Sequence, residues 1–173
     1  LGGDEEVVLA RLAELDLTPA NFNGGGQIVA AGAPDALDAL RSEPAAGTRV
    51  IPLKVAGAFH TRYMEQARTA LGADAELFEV RDPVRTIWSN ETGETVTDGV
   101  EFRASLIRQL AQPVRWDACM RSFAEAGVSS LIELAPAGTL SGLAKRALRG
   151  TPTLALSTPA DLDAARERIS ADA

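Results

Sequence analysis

The residue best suited to acid–base chemistry is His60, the only histidine in the chain. It comes a few residues after a predicted strand, 49–53, and catalytic groups favour loops at strand ends, where a rigid sheet positions them. Histidine is also the side chain that most readily exchanges a proton near neutral pH. His60 is therefore a candidate general base, although a loop histidine that satisfies only a local hydrogen bond fits the spacing as well.

The sequence shows no serine nucleophile that such a base would serve. No serine lies in a Gly-x-Ser-x-Gly elbow, the turn that exposes a nucleophilic hydroxyl between strand and helix. Cys119 could form a thiol–imidazole pair with His60. Its neighbours predict a helix, however, and a buried, inert thiol is the more typical outcome. If His60 is a base, we expect its nucleophile to lie elsewhere.

A second polar cluster surrounds three consecutive glycines, Gly24 to Gly26. Asn21, Asn23 and Gln27 flank the glycines, and amide side chains can hold a polar ligand without charge. Asn and Gly are also ordinary residues of a hairpin turn that needs positive φ, so the pattern alone favours a turn. The glycines match neither the dinucleotide-binding GxGxxG motif nor the P-loop.

Two segments near the C-terminus could contact an anion. The loop from Glu133 to Thr139 joins a predicted strand to a helix and could offer backbone N–H groups, although a structural turn explains it more simply. Lys145, Arg146 and Arg149 form a basic cluster near a helix end, where they would also complement the helix dipole. No spacing of His, Cys, Asp and Glu predicts a metal site.

Helical and strand-like patterns alternate along the chain. The predicted helices are 4–15, 34–41, 61–71, 102–111, 116–126, 140–148 and a last one from 159. The predicted strands are 20–23, 27–31, 49–53, 84–89, 130–134 and 153–156. The first five elements predict a ferredoxin-like unit that lacks its first strand. The later alternation predicts a parallel, doubly wound sheet, so we place the division near residue 55, with units 1–55 and 56–173.

Composition excludes several classes of function. The chain has 173 residues, with 17 basic and 24 acidic side chains and a formal net charge of −7. A protein with this charge is poorly suited to bind the phosphates of a nucleic acid, which require a dense basic face. Its single cysteine excludes an internal disulfide and fits a reducing cytoplasm. We find no membrane-spanning run and no signal peptide. The chain opens without Met, and we expect a segment upstream of Leu1.

Five short motifs occur together, in an order and spacing that cover nearly the whole chain. They are Asn21-Phe22-Asn23 with Gln27-Ile28-Val29, the run 55–61 that ends in Phe59-His60-Thr61, Ser89-Asn90, the run 108–116, and the run 138–146. As a set they resemble the C-terminal half of the bacterial malonyl-CoA:acyl carrier protein transacylases, in the actinobacterial style. The resemblance implies an α/β fold: part of an α/β-hydrolase-like large subdomain, with an inserted ferredoxin-like small subdomain.

The resemblance also implies roles for five residues in ping-pong acyl transfer. His60 would be the base for a serine, and the backbone carbonyl of Gln109, rather than a carboxylate, would orient its ring. Asn23 and Gln27 match positions that line the acyl and pantetheine channel. Phe59 matches the residue beside the substrate α-carbon, where it would favour malonyl over methylmalonyl groups.

The resemblance further implies the partners of the chain. These would be malonyl-CoA, the acyl carrier protein with its phosphopantetheine thiol, and an N-terminal half that carries the serine, the oxyanion loop and a carboxylate-binding arginine. No other cofactor or metal is expected. Arg62, Lys145, Arg146 and Arg149 are candidates for contact with the acidic carrier. Two alternatives remain open from sequence: a non-catalytic interaction module derived from this fold, and a thioesterase-like hydrolase.

Overall fold

The computed structural model describes residues 2–171, which form two compact units divided between Cys119 and Met120. The α-helices are α1 Glu5–Glu14, α2 Pro34–Ser42, α3 Glu65–Ala75, α4 Gly99–Arg108, α5 Trp116–Glu125, α6 Thr139–Ala147 and α7 Leu162–Ala171. The strands are β1 Thr18–Phe22, β2 Ile28–Ala31, β3 Ile87–Trp88, β4 Thr95–Val96, β5 Val114–Arg115, β6 Leu131–Glu133 and β7 Thr153–Ala155. Short 3₁₀ helices, Arg62–Met64 and Pro159–Asp161, precede α3 and α7.

A three-stranded sheet organises the first unit, with the strands in the order β2-β1-β5. β1 and β2 form an antiparallel hairpin around the glycine turn, and a bulge interrupts their register between Pro19 and Asn21. β5 joins the other edge of β1 in parallel, with Phe22 opposite Arg115. The sheet therefore places the glycine turn beside a strand that begins only a few residues after Gln109.

The core of the first unit forms where α1 and α2 cover the hairpin. Leu12, Leu17 and Leu40 are buried together, and Val8 and Ile28 pack against them. The helical spacing of the apolar residues in α1 places Leu12 on this inner face, and burying such side chains supplies the main stabilisation of a small unit. The predicted helices and hairpin of this region are confirmed within a few residues.

One predicted strand is wrong. Residues 49–53 form no strand, and Ile51 and Leu53 are exposed. The apolar pattern suggested a strand, but a strand is defined by hydrogen bonds to a neighbour, and no described residue pairs with this segment. The predicted strand 84–89 is also shorter than expected, since only Ile87–Trp88 pairs, and it pairs antiparallel with β4.

The second unit contains a strand–helix–strand element after the end of α5. β6 and β7 pair in parallel, with Leu131 opposite Thr153, and α6 connects them. Leu143, Ala144 and Leu148 are buried on α6 and just after it. The chain is thus mixed α/β, as predicted, whereas the finer subdomain architecture and the division at residue 55 stay predictions. No helix within residues 2–171 has the length and apolarity to cross a membrane.

Gly93 and Gly25 provide a test of the packing beside α5. Both have positive φ, 80° and 59°, so an alanine is strained at either position. A Cβ on Gly93 would lie 2.5 Å from Ala118, whereas one on Gly25 would meet nothing within 4 Å. We expect Gly93→Ala to lower the free energy of unfolding by about 1–3 kcal/mol more than Gly25→Ala, the usual cost of overpacking. Urea unfolding measures this difference, and equal losses in the two variants would contradict the packing described.

Candidate active site

The backbone of His60 has an uncommon conformation that is tied to the end of α4. Its φ is 63°, in the left-handed region, which disfavours side chains with a Cβ by about 1–2 kcal/mol. The backbone N–H of His60 donates to the carbonyl of Leu110 at 2.9 Å. Such a conformation persists only where the surroundings hold it, and strained residues of this kind are concentrated at functional sites.

The imidazole ring of His60 is oriented by a backbone carbonyl. Its Nδ1 lies 2.6 Å from the carbonyl oxygen of Gln109. Because a carbonyl oxygen can only accept a hydrogen bond, Nδ1 must carry the proton of the neutral ring. The lone pair of the neutral ring is then on Nε2, which is the arrangement that a general base needs. The structure therefore brings together the two residues that sequence assigned to the catalytic pair.

The side chain of Gln109 holds the turn in which its own carbonyl lies. Its amide nitrogen donates to the carbonyl of Gln112 at 3.2 Å and to that of Pro113 at 3.0 Å. Gln109 caps α4, and Pro113 immediately precedes β5. These two hydrogen bonds thus connect the carbonyl that faces His60 to β5, the strand beside the glycine turn. The family resemblance implied a role only for the backbone carbonyl of Gln109, and not for this side chain.

Ion pairs hold the C-terminal end of α4 in place. The Arg108 guanidinium donates twice to Glu91 at 2.8 Å and once to Glu101 at 2.6 Å. These bonds raise the pKa of Arg108, and the Arg108 guanidinium lowers the pKa of the Glu91 carboxyl. The buried hydroxyls of Ser89 and Ser105 also share a hydrogen bond of 2.8 Å. Together they fix the helix end that presents Gln109.

Asn23 and Gln27 lie at the two ends of the glycine turn. The Asn23 N–H donates to the Gln27 carbonyl at 2.9 Å, and Gln27 N–H donates to the Gly24 carbonyl at 3.1 Å. All three glycines have positive φ, so the turn interpretation of this sequence is confirmed. The side chains of Asn23 and Gln27 are partly exposed beyond β1, and their role in lining a substrate channel stays a prediction.

The residues on either side of His60 differ in their contacts. Phe59 is half exposed, 51% of its surface being accessible, so its aromatic ring is available to a ligand. Arg62 forms a two-pronged ion pair with Asp16 and lies over the Tyr63 ring, 5.2 Å from its centroid. The Arg62 guanidinium lowers the pKa of the Asp16 carboxyl. Arg62, which sequence suggested as a carrier contact, is therefore already paired.

Known proteins with a similar sequence are transacylases. A malonyl CoA-acyl carrier protein transacylase of Mycobacterium tuberculosis is 51% identical over 163 residues, which are 94% of this chain and 54% of that protein. One from Bacillus subtilis is 33% identical over 153 residues, 87% of this chain and 48% of that protein. Over the residues it spans, the chain belongs to the malonyl CoA-acyl carrier protein transacylase family. No protein-family model matches it.

Solved structures of transacylases agree. The M. tuberculosis enzyme superposes with a TM-score of 0.90 at 51% identity, over 94% of this chain and 54% of that one. A type II PKS acyl-carrier protein in complex with its malonyl-transacylase gives a TM-score of 0.84 at 31% identity, over 97% and 56%. The chain thus spans about half the length of the transacylases that it matches.

Cys119 does not provide this transacylase-family chain with a nucleophile. Its side chain is 1% exposed, and the thiol donates to the carbonyl of Ser89 at 3.5 Å and to Asn90 Oδ1 at 3.6 Å. Desolvation raises the pKa of the thiol to about 11, so the thiolate is scarce at neutral pH. These observations favour the buried, inert thiol over the thiol–imidazole pair.

The carboxylate of Glu133 binds the backbone N–H groups at the start of α6, which the sequence suggested as a possible anion site. Its carboxylate accepts hydrogen bonds of 2.8 Å from the backbone N–H groups of Ser141, Gly138 and Leu140. Desolvation acts to raise the pKa of Glu133, but these three bonds lower it to about 2. The loop from Glu133 to Thr139 is therefore a turn closed by its own carboxylate. No group of three metal-ligating side chains occurs in the described part of the chain.

Glu133 gives a pH-dependent test of this turn. The pKa is lower in the folded chain than in the unfolded one, so the carboxylate stabilises the fold fully at neutral pH and loses this effect as the pH falls toward 2. Glu133→Gln should unfold at lower urea than the wild type at pH 7, and the gap should narrow on acidification.

The control for Glu133→Gln is Glu125→Gln, at the exposed end of α5 in the same unit. It should leave the urea midpoint unchanged at every pH. A gap between Glu133→Gln and the wild type that stayed constant from pH 7 downward would show that the carboxylate charge does not hold the turn.

Proposed function

We propose that this chain supplies the general base and part of the acyl channel of an enzyme that transfers a malonyl group from malonyl-CoA to the phosphopantetheine thiol of an acyl carrier protein. The observation that carries the proposal is the contact between His60 Nδ1 and the Gln109 carbonyl, which leaves Nε2 as the base. The transacylase names of the relatives support the reaction, and the solved carrier complex supports the partner.

The proposed reaction has two halves, and His60 transfers a proton in each. A serine hydroxyl gives its proton to Nε2 and attacks the malonyl thioester, and the tetrahedral intermediate collapses to a malonyl-serine ester as the CoA sulfur leaves with that proton. The carrier thiol then gives its proton to Nε2 and attacks the ester, and the serine oxygen takes the proton back. The product, malonyl-carrier, would serve chain elongation in fatty acid or polyketide synthesis.

The serine is proposed to come from the part of the transacylases that this chain does not match. That part amounts to nearly half of their length, and this chain has no serine elbow. The oxyanion loop and the arginine that binds the malonate carboxylate are assigned to the same part. The chain alone is accordingly proposed to be inactive, because removing the nucleophile from a serine–histidine pair removes nearly all of its catalysis.

Asn23, Gln27 and Phe59 are proposed to bind the acyl and pantetheine groups. Their support is the family resemblance of the sequence around them, the partial exposure of the two amides and the exposed ring of Phe59. Lys145 and Arg149, both exposed near the end of α6, are proposed to contact the acidic carrier. We propose no metal, and no cofactor beyond the phosphopantetheine of the carrier. We also propose a cytoplasmic location, which the single cysteine supports.

His60→Ala tests the base directly. The variant and the wild type are each fused behind the part of the M. tuberculosis transacylase that the chain does not match, so that a serine is present. Single-turnover loading of malonyl groups should fall by about 10²–10⁴-fold, the usual contribution of a general base.

The control for His60→Ala is Gln112→Ala, which removes an exposed side chain but leaves the backbone carbonyl that Gln109 contacts. It should load at the wild-type rate. The unfused chain should show no loading. A loss of less than tenfold in His60→Ala, in a fusion that is otherwise active, would remove His60 from the mechanism.

Phe59→Ser tests the proposed selectivity. The Phe59 ring is expected to exclude an α-methyl branch, so its removal should let methylmalonyl-CoA compete better with malonyl-CoA. One methyl-sized contact is worth roughly 1–3 kcal/mol, which limits the change in the ratio of the two kcat/KM values to about 200-fold. Phe59→Leu, which keeps an apolar branched side chain, should shift the ratio less. An unchanged ratio in Phe59→Ser would place the selectivity elsewhere.

A further inference from the structure

Thr61, which follows His60 in the chain, has a fully buried polar side chain. Its exposure is 0%, and it is one of the two largest side chains that are completely enclosed among the described residues. Its hydroxyl donates to the carbonyl of Ala58 at 2.6 Å and accepts from the N–H of Tyr63 at 3.3 Å. Both hydrogen-bonding capacities of the hydroxyl are therefore used, and both partners belong to the loop that carries His60.

The bond from Thr61 to Ala58 closes a small ring that contains His60. It spans the backbone torsions of Phe59 and His60, so it restricts the left-handed conformation in which His60 is held. The backbone N–H of His60 is fixed by Leu110 on the other side. Without the hydroxyl of Thr61, the backbone of His60 would tend to leave the left-handed region, which is unfavourable for a residue with a Cβ. Its ring would then move away from the Gln109 carbonyl.

We propose that Thr61 is a positioning residue: its hydroxyl locks the backbone of His60 so that the ring stays on the Gln109 carbonyl with Nε2 available. Because the Thr61 side chain is fully buried, it acts through His60 and not on a substrate directly. The hydroxyl also caps the short helix Arg62–Met64, so a purely structural role is the competing account. The effect on turnover rests on the proposed function, whereas the effect on the ring does not.

The test compares three substitutions that grade the hydrogen-bonding capacity of residue 61. Thr61→Val keeps the branched shape without a donor, Thr61→Ser keeps the hydroxyl, and Thr61→Cys offers only a weak donor. The control is Thr69→Val, which removes an exposed hydroxyl bonded within α3 to Glu65. Because His60 is the only histidine, ¹⁵N-histidine labelling of the chain reports its ring without ambiguity.

The ring signal separates positioning from stability. In the wild type and Thr61→Ser the neutral ring should be protonated at Nδ1. In Thr61→Val the ratio of the Nδ1–H to the Nε2–H form should fall by about fivefold or more, the worth of roughly one hydrogen bond. Thr61→Cys should lie between them, and Thr69→Val should match the wild type. A Thr61→Val chain that unfolds at lower urea but keeps the wild-type ring signal would overturn the proposal.

Turnover in the fusion with the M. tuberculosis segment gives the second readout. Thr61→Val should lower kcat by about 10–10²-fold with little change in KM, since a small displacement of a catalytic group has costs of this size, and Thr61→Ser should restore it. If the Thr61→Val chain does not fold, Thr61→Cys is used for both measurements. A wild-type ring signal and a wild-type kcat in Thr61→Cys would then refute the positioning role. The two proposals can fail separately. If Thr61→Val changes the ring signal of His60 but the unmutated fusion transfers no malonyl group, the positioning role of Thr61 stands and the proposed function is rejected.

Discussion

The hydrogen bond between His60 Nδ1 and the Gln109 carbonyl is the interaction on which the rest of the site depends. It joins residues 49 positions apart at 2.6 Å. A carboxylate in this place would add a charge beside the ring, whereas the uncharged carbonyl only accepts a hydrogen bond from Nδ1–H and so determines which ring nitrogen has the free lone pair. The chemistry of His60 therefore depends on how rigidly the end of α4 is held.

Several weak interactions supply that rigidity. The Arg108 ion pairs and the Ser89–Ser105 hydrogen bond fix α4, and the Gln109 side chain fixes the turn that follows it. Exposed ion pairs contribute little to stability individually, about 0–1 kcal/mol. Their effect here is geometric, because each restrains the carbonyl that faces the ring. The same turn leads into β5, which pairs with β1. The hairpin whose turn contains Asn23 and Gln27 is therefore connected to the residues that hold the Gln109 carbonyl.

Much of the fold could be predicted because helices and hairpins have local signals, such as the 3.6-residue period of α1 and the glycines before β2. Residues 49–53 show the limit, since an apolar pattern does not say whether a partner strand exists. His60 could be found by residue type and position. The carbonyl of Gln109 could not be found from residue types, since every residue has one, and only the family resemblance indicated it. The contacts of Thr61 and Glu133 depend on backbone positions that no composition or spacing encodes.

The most direct test of the account is the protonation of the neutral His60 ring in the wild-type chain. In a ¹⁵N-histidine NMR spectrum of the neutral ring, the single histidine should show a proton on Nδ1 and none on Nε2. That result would mean that the Gln109 carbonyl sets the tautomer before any substrate binds. A neutral ring protonated mainly on Nε2 would contradict the account, because the nitrogen assigned as the base would have no lone pair to accept a proton.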